Sequence, residues 1–493
     1  MIVSSENKPI DISAPQAWSS PLQEQRSCSS FDFDAIVVGS GLGGLACAAL
    51  LAKHSIKVLV LEQHYQVGGY CSSFQRNGFT FTSGVEDISG VEAGDTAQLL
   101  AELDLKKEDL FVLNTRMFII GDKRIRLDGT KQGTVSALSK AFPDEAEAIV
   151  RFIDEAEYVL RMEDPGNETV QSWVSITYQQ KLDQYFRNPE LKSFFCSLLV
   201  YIGMPADQVP AQAAIGPCLS YFIVGGYYPK GGPQNFVNSI RDYITAHSGK
   251  VLTNKHVDEI IVSDGIVGGV RVGDKTYSSP VVVSNVNAKT LYQRLIAPGR
   301  VHKVFVDAIG ALPMSISCCM VQIGTDIDLS CLPSHIQVLD KGAHCHCVIN
   351  SNADHSLAPE GKSSLTFICG GDYRKTPPRG TPEYARYKDE RAKTIISRAE
   401  AGIPNLQDLQ KHILALDIST PLTFERYTSM PEGAIYGFEQ SIGLTRPNFK
   451  SPIRGLYLAS SSTAGGGVES VIGAGLTCAR DILGKNTAHS SSS

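Results

Sequence analysis

Residues 34–62 read Asp-Ala-Ile-Val-Val-Gly-Ser-Gly-Leu-Gly-Gly-Leu-Ala-Cys-Ala-Ala-Leu-Leu-Ala-Lys-His-Ser-Ile-Lys-Val-Leu-Val-Leu-Glu. Ala35 to Val38 is a short apolar run of buried-strand character, Leu45 to Lys53 an alanine- and leucine-rich helix, and Val58 to Leu61 a second strand closed by Glu62. Gly39, Gly41 and Gly44 form G-x-G-x-x-G, with Ser40, Leu42 and Gly43 between them. After a strand and before a helix, such glycines have separate tasks: a tight turn, room for backbone to approach a pyrophosphate, and close helix–strand packing. The helix N-terminus adds amide donors and a partial positive charge for phosphates. Glu62, 18 residues after Gly44, is placed to accept hydrogen bonds from a ribose hydroxyl. The stretch therefore predicts a βαβ unit that binds a dinucleotide.

Six residues beyond Glu62 a second glycine signal begins: Gly68-Gly69-Tyr70-Cys71-Ser72-Ser73-Phe74, followed by Asn77-Gly78-Phe79-Thr80-Phe81-Thr82-Ser83-Gly84. A nicotinamide domain gives no reason for a glycine pair so soon after the acid. A long FAD lying along the chain beyond its ribose does. At this point the sequence resembles the FAD-dependent amine-oxidase-like superfamily, and within it the phytoene desaturase, carotenoid isomerase and retinol saturase branch. Tyr227-Tyr228-Pro229-Lys230-Gly231-Gly232, Pro431-Glu432-Gly433-Ala434-Ile435-Tyr436-Gly437, and Gly465-Gly466-Gly467-Val468 with Gly473-Ala474-Gly475 are similar to motifs of that branch. The resemblance runs from about residue 33 to 484. It implies FAD as cofactor, held by Gly39, Ser40, Gly41, Leu42, Gly43, Gly44, Glu62, Gly68, Gly69, Tyr70, Ser72, Val257, Gly466, Gly467 and Val468. Three departures stand out: Thr82 where the family usually has Asp, Thr463-Ala464 where it has His-Pro, and Glu469-Ser470 where it has Pro-Gly. The last two fall where family members line the flavin ring, so the cofactor expectation rests on backbone and glycines and the substrate is not carried over.

The chain has 493 residues, enough for two domains with substantial cores. A hydrophobic share of 43% and a charged share of 19% are those of an ordinary globular protein. The net charge of −6 gives no electrostatic case for nucleic acid. Twelve cysteines contain no C-x-x-C pair, which favours reduced thiols over a disulfide scaffold. In His344-Cys345-His346-Cys347 a strand would turn the two His one way and the two Cys the other, so no metal is expected there. The uncharged runs 35–52, 208–229 and 308–325 are interrupted by glycine, proline or polar residues and read as buried segments. Residues 1–30 lack an apolar signal core and read as a disordered N-terminal arm; residues 485–493 read as a frayed tail. A cytoplasmic location follows, with membrane association and a plastid location left open.

The fold expected is α/β: a Rossmann-like FAD-binding domain assembled from discontinuous segments (31–100, 226–300 and 420–484), with a mixed α+β substrate domain (101–225 and 301–419). Residues 101–225 read as mostly helical. In 301–419, strands are expected at Pro313–Ile323 and Ser364–Cys369 and a charged helix near Thr381–Ala401.

No hydrolase triad, nucleophile elbow or P-loop occurs, and no second G-x-G-x-x-G. Flavin chemistry is carried by the cofactor, which is why few catalytic side chains announce themselves. Electrons would pass to or from oxygen, a quinone, a partner protein or a transient donor, or there is no net redox. Lys230, Glu469 and Tyr436 are the candidate catalytic residues; Glu86, Asp87 and Glu432 are further polar groups that could face the ring. Glu469, at the start of a helix aimed at the flavin, reads equally as a charge favoured by the helix dipole. Tyr221, Phe222 and Tyr227, in the aromatic run before Pro-Lys-Gly-Gly, are read as a tunnel wall for a long hydrocarbon, with domain core as the alternative. The resemblance implies desaturation, saturation or cis–trans isomerisation in an apolar polyene, isoprenoid or fatty-acyl substrate, with peripheral membrane contact as a route to it. A flavin amine or amino-acid oxidase and a non-catalytic FAD-binding partner protein are the other readings.

Overall fold

The computed structural model describes residues 11–24, 31–161, 166–441 and 443–485. Five short strands form a parallel sheet in the order Leu456–Leu458, Val282–Ser284, Ala35–Val38, Val58–Leu61, Lys250–Leu252. All fourteen residues of the four strands other than Lys250–Leu252 are buried, and all but the small Ser284 are apolar, as expected of a parallel sheet covered on both faces. Helices Leu42–Lys53, Val468–Ile482 and Pro233–Ala246 cover one face through Leu45, Ala49, Ile240, Ile472 and Leu476. An antiparallel sheet of Glu259–Ser263, Ile266–Val272 and Lys275–Ser278 covers the other, with Tyr292 and Phe305. A Cβ at Gly475 would lie 2.3 Å from the Gly43 carbonyl oxygen, so glycine lets Val468–Ile482 and Leu42–Lys53 touch backbone to backbone.

The second body is a seven-stranded mixed sheet in the order Ile413–Ser419, Ser317–Thr325, Ser363–Gly371, Cys345–Ile349, His335–Val338, Arg116–Ile120, Lys123–Leu127. One face is apolar (Met117, Val321, Ile336, Cys347, Phe367) and packs on the helix Pro382–Gly402 through Ile395, Ile396 and Ala399. The opposite face meets a helical layer built from 131–223, where Phe118 packs edge-on against Phe194 and Phe222. Among the described residues no helix is long and apolar enough to cross a membrane.

Residues 101–225 are mostly helical, as expected, but Lys123-Arg-Ile-Arg-Leu127 alternates, pairs with Arg116–Ile120 across Gly121, and adds two strands to the large sheet. One expectation is corrected: part of the supposed N-terminal arm is structured. Ile12 is buried and its carbonyl accepts from the Asn448 N–H, while the Trp18 indole donates to the Ser451 carbonyl and sits edge-on to Tyr457. Ile12 and Trp18 bury enough apolar surface to hold 11–24 down. Residues 1–10 and 25–30 of that arm, and 486–493 of the tail, lie outside the described residues.

Candidate active site

The carboxyl ends of the parallel strands open into a cavity of about 1170 Å³, above the range of about 300–1,000 Å³ usual for one small ligand. Its wall takes in Gly39, Ser40, Gly41, Leu42 and Gly43, then Glu62, Gly68, Gly69, Tyr70 and Val257, and Gly466, Gly467 and Val468. The N-termini of Leu42–Lys53 and Val468–Ile482 both face it, each a seat for phosphate or another electron-rich group. Gly39 turns the chain at φ +93°, and its N–H is held by the Leu61 carbonyl at 2.9 Å. Gly467, at φ +98°, has nothing within 4 Å of where a Cβ would stand, which leaves an open approach to its backbone. Glu62 is buried; it accepts from the Ser40 N–H at 2.9 Å, the Ser40 hydroxyl at 2.6 Å and the His64 N–H at 2.8 Å. These features fit a dinucleotide laid from the strand end across the glycine turns.

Two expected cofactor contacts stand elsewhere. Gly44 is one turn inside the helix, where a Cβ would meet the Gly39 carbonyl at 2.4 Å; it serves packing and does not line the cavity. Ser72 points back to the Gly69 carbonyl at 2.8 Å and closes a turn.

The catalytic candidates separate. Lys230 is exposed, and its ammonium donates to the Glu108 carbonyl at 2.5 Å: the Pro-Lys-Gly-Gly turn projects it to the surface, so it is no ring-side group. Tyr436 does line the cavity, its Cα, Cβ and ring edge packed where a Gly466 Cβ would be, and burial raises its phenol well above the usual range. Glu469 borders the cavity, but its carboxylate accepts from the Asp95 and Thr96 N–H groups and the Thr96 hydroxyl, capping the helix Asp95–Glu102. Burial pushes its carboxyl up to about 7. Of the proposed tunnel wall only Tyr221 faces the cavity. Phe222 stacks on Phe194 at 4.9 Å within the helical core. Tyr227 lies in a strand paired with Phe111–Leu113 and donates its hydroxyl to Glu92. In this segment the strand and the short helix leave one side chain in three for the cavity.

Sequence reasoning missed the far wall. The register of the seven-stranded sheet puts Arg116 beside His335, Gln337 beside His346, and Thr366 beside Gln322, all on the face opposite Pro382–Gly402. All six are buried. Arg116 and Asp87, each 2% exposed, form an ion pair; Asp87 also accepts from Asn114 Nδ2 at 2.9 Å and the Tyr201 hydroxyl at 3.1 Å. Glu86 accepts from Asn350 Nδ2 at 2.5 Å, and burial, with Asp87 adding repulsion, pushes it up to about 8. Alternation of polar and apolar residues was the available signal, but it reads as a solvent-facing strand when the polar side faces an internal chamber.

A Rossmann-type sheet with a glycine-lined cavity at its carboxyl ends, joined to a large mixed sheet, is the arrangement of a flavoprotein. The profile of the family described as flavin containing amine oxidoreductase matches residues 42–483, and the chain belongs to that family. It is an FAD-dependent oxidoreductase. Among curated relatives it is 24% identical to the all-trans-retinol 13,14-reductase of Macaca fascicularis over 92% of this chain and 86% of that one. It is 26% identical to the chloroplastic prolycopene isomerase of Arabidopsis thaliana over 91% and 82%. Among solved structures, an oxidoreductase from Methanosarcina mazei superposes with a TM-score of 0.67 at 18% identity, covering 90% of this chain and 99% of that one. Putrescine oxidase bound to putrescine gives 0.65 at 16% identity, over 92% and 99%. These structures share the fold.

Proposed function

We propose that this chain acts on carbon–carbon bonds of an apolar polyene, isoprenoid or fatty-acyl substrate, by desaturation, saturation or cis–trans isomerisation. The observation that carries the reading is the second half of the cavity. Beyond the glycine turns its lining passes Met320, Ile368 and Tyr436 and continues to Val159, Leu160, Val200, Ile215 and Val224 of the helical layer. A long apolar chain suits that lining, at about 0.8 kcal/mol per buried methylene-sized group. Val174, 46% exposed and also part of the lining, is where such a chain would enter. The relatives named for a retinol reductase and a prolycopene isomerase support the same substrate class.

Bound FAD would supply hydride transfer at its ring. Gly39, Gly41, Gly69 and Gly467 would hold its phosphates by main-chain groups, and Glu62 a ribose. Tyr436, Met320 and Ile368 would keep water from the reacting carbons. Electrons would be exchanged with oxygen, a quinone or a partner protein. The amine-oxidase alternative needs charged anchors. Arg116 is committed to Asp87, and Arg446 donates to the carbonyls of Ser461, Phe438 and Glu439. The test is anaerobic mixing of the oxidised and the photoreduced holoenzyme with carotenoids, retinoids, fatty acids and amines in parallel. A flavin absorbance change with a polyene or acyl chain is expected; a response to amines alone would overturn the reading.

A further inference from the structure

Cys319 and Cys369 stand directly opposite each other on the antiparallel strands Ser317–Thr325 and Ser363–Gly371, and both are free thiols. Each is two residues from a member of the apolar face of the sheet, Val321 or Phe367, so both side chains are turned toward the helix Pro382–Gly402. Direct cross-strand neighbours hold their Cβ atoms about 4.5–5.5 Å apart and a disulfide needs about 3.5–4.5 Å, so a small closure would join the two sulfurs. The side chains already lean together. The Cys369 thiol donates to the Cys319 carbonyl at 3.6 Å, and the two thiols are in hydrogen-bond contact with each other.

The surroundings favour a thiolate. Cys319 Sγ lies 3.6 Å from the Tyr387 hydroxyl, and the Arg391 guanidinium sits over the Tyr387 ring at 5.0 Å. The Cys369 thiol first, then the Tyr387 hydroxyl and the Arg391 charge, bring Cys319 down to about 7 against its burial; the same sulfur contact pushes Cys369 up. The pair therefore holds one shared proton near neutral pH, and the thiolate is the form that reacts. Cys319 is buried, whereas Cys369 is half-buried and borders the cavity, whose wall the neighbouring Cys318, Met320 and Ile368 also form. A small oxidant released in the cavity thus meets Cys369 first. Hydrogen peroxide is such an oxidant, and it forms when a reduced flavin gives two electrons and two protons to oxygen.

We propose that Cys319 and Cys369 are a peroxide-responsive thiol pair that closes to a reversible disulfide across the large sheet. With the shared proton on Cys319, the Cys369 thiolate attacks one peroxide oxygen; the O–O bond breaks, and the departing hydroxide takes a proton to become water. The Cys319 sulfur then attacks the Cys369 sulfenic sulfur; the S–O bond breaks, and the Cys319 proton leaves with the hydroxyl as a second water. Two thiols and one peroxide give one disulfide and two waters, with two electrons passing from sulfur to oxygen. The proposal needs the flavoprotein assignment alone and is independent of the substrate reading.

The test treats the reduced-thiol holoenzyme with one equivalent of hydrogen peroxide, alkylates it under denaturing conditions and maps the peptides by mass spectrometry. Alkylated cysteines are expected to fall from twelve to ten, with a Cys319–Cys369 link and the exposed Cys331 still free. Dithiothreitol should restore twelve. Cys319→Ser and Cys369→Ser should each abolish the link, and Cys318→Ser, whose side chain is on the other face, should keep it. Twelve free thiols after peroxide, sulfinic acid on Cys369 beside an unmodified Cys319, or a link from Cys369 to Cys345 on its other neighbouring strand would each overturn the proposal.

Discussion

Glu62 is fastened to Ser40 by two hydrogen bonds, from the N–H at 2.9 Å and the hydroxyl at 2.6 Å, so the acid that ends the second strand is tied to the turn between the first two glycines. With the His64 N–H on its other oxygen, three of about four acceptor sites of the carboxylate are used and one remains for a ribose hydroxyl. Glu62→Ala should therefore weaken FAD binding by about 1–3 kcal/mol, the cost of leaving buried donors unpaired. Flavin fluorescence titration of the apoprotein measures this, and an unchanged dissociation constant would remove Glu62 from the cofactor site.

Gly41→Val should abolish FAD binding. A Cβ there would stand 2.5 Å from Oδ1 of Asn285, whose amide donates to the Ala459 carbonyl at 2.6 Å. Valine would displace that link between the first glycine turn and the C-terminal strand and would occupy the approach to the pyrophosphate. The check is FAD released per chain on denaturation: close to none from the variant, one equivalent from the wild type.

Glu469→Ala should lower stability by about 0.5–2 kcal/mol, because it uncaps the helix Asp95–Glu102. Gly90, at φ +71°, makes room for that carboxylate: a Cβ there would stand 2.0 Å from Glu469 Oε2. Gly90→Ala should be destabilising by a similar route. Thermal melts of the holoprotein decide both, and a stable Glu469→Ala variant that has lost turnover would return Glu469 to the catalytic list.

The pH dependence of stability should carry the signature of Glu86. Its folded-state value of about 8 lies above the ordinary 4.5, so between those values the folded chain keeps a proton that the unfolded chain releases. The stabilising effect of that proton is full below about 4.5 and fades as pH rises through 8, by about 1.4 kcal/mol per pH unit at most. Glu86→Gln removes the titration. The wild type should lose stability relative to this variant between pH 5 and 8, followed by denaturant melts; a constant difference would mean that Glu86 is ionised in the folded protein.

The cofactor half of the molecule was legible because its rules are local. Ala35–Val38 and Val58–Leu61 are buried parallel strands and Gly39 to Gly44 is the turn into a helix, as their spacing predicts, since a parallel strand buried on both faces and a glycine turn each leave a short contiguous signature. The Val468–Ile482 helix was legible from the glycines before it and the Pro382–Gly402 helix from its run of charged helix formers. The substrate half depends on register between strands far apart in sequence. Arg116 meets His335, and His346 meets Gln337, only once strands 116–120, 335–338 and 345–349 are aligned. Lys230 and Phe222 misled because a motif gives the path of the backbone and not where each side chain ends. Glu86 and Asp87 look like surface acids until burial is known.

The measurement that bears most directly on the central claim is isomer-resolving chromatography with mass spectrometry of a polyene after one anaerobic turnover with photoreduced and with oxidised holoenzyme. Carbon–carbon chemistry in this cavity predicts a product heavier or lighter by two hydrogens, or a geometric isomer of unchanged mass. Recovery of the starting polyene alone, together with conversion of an amine to its imine by the same preparation, would contradict it.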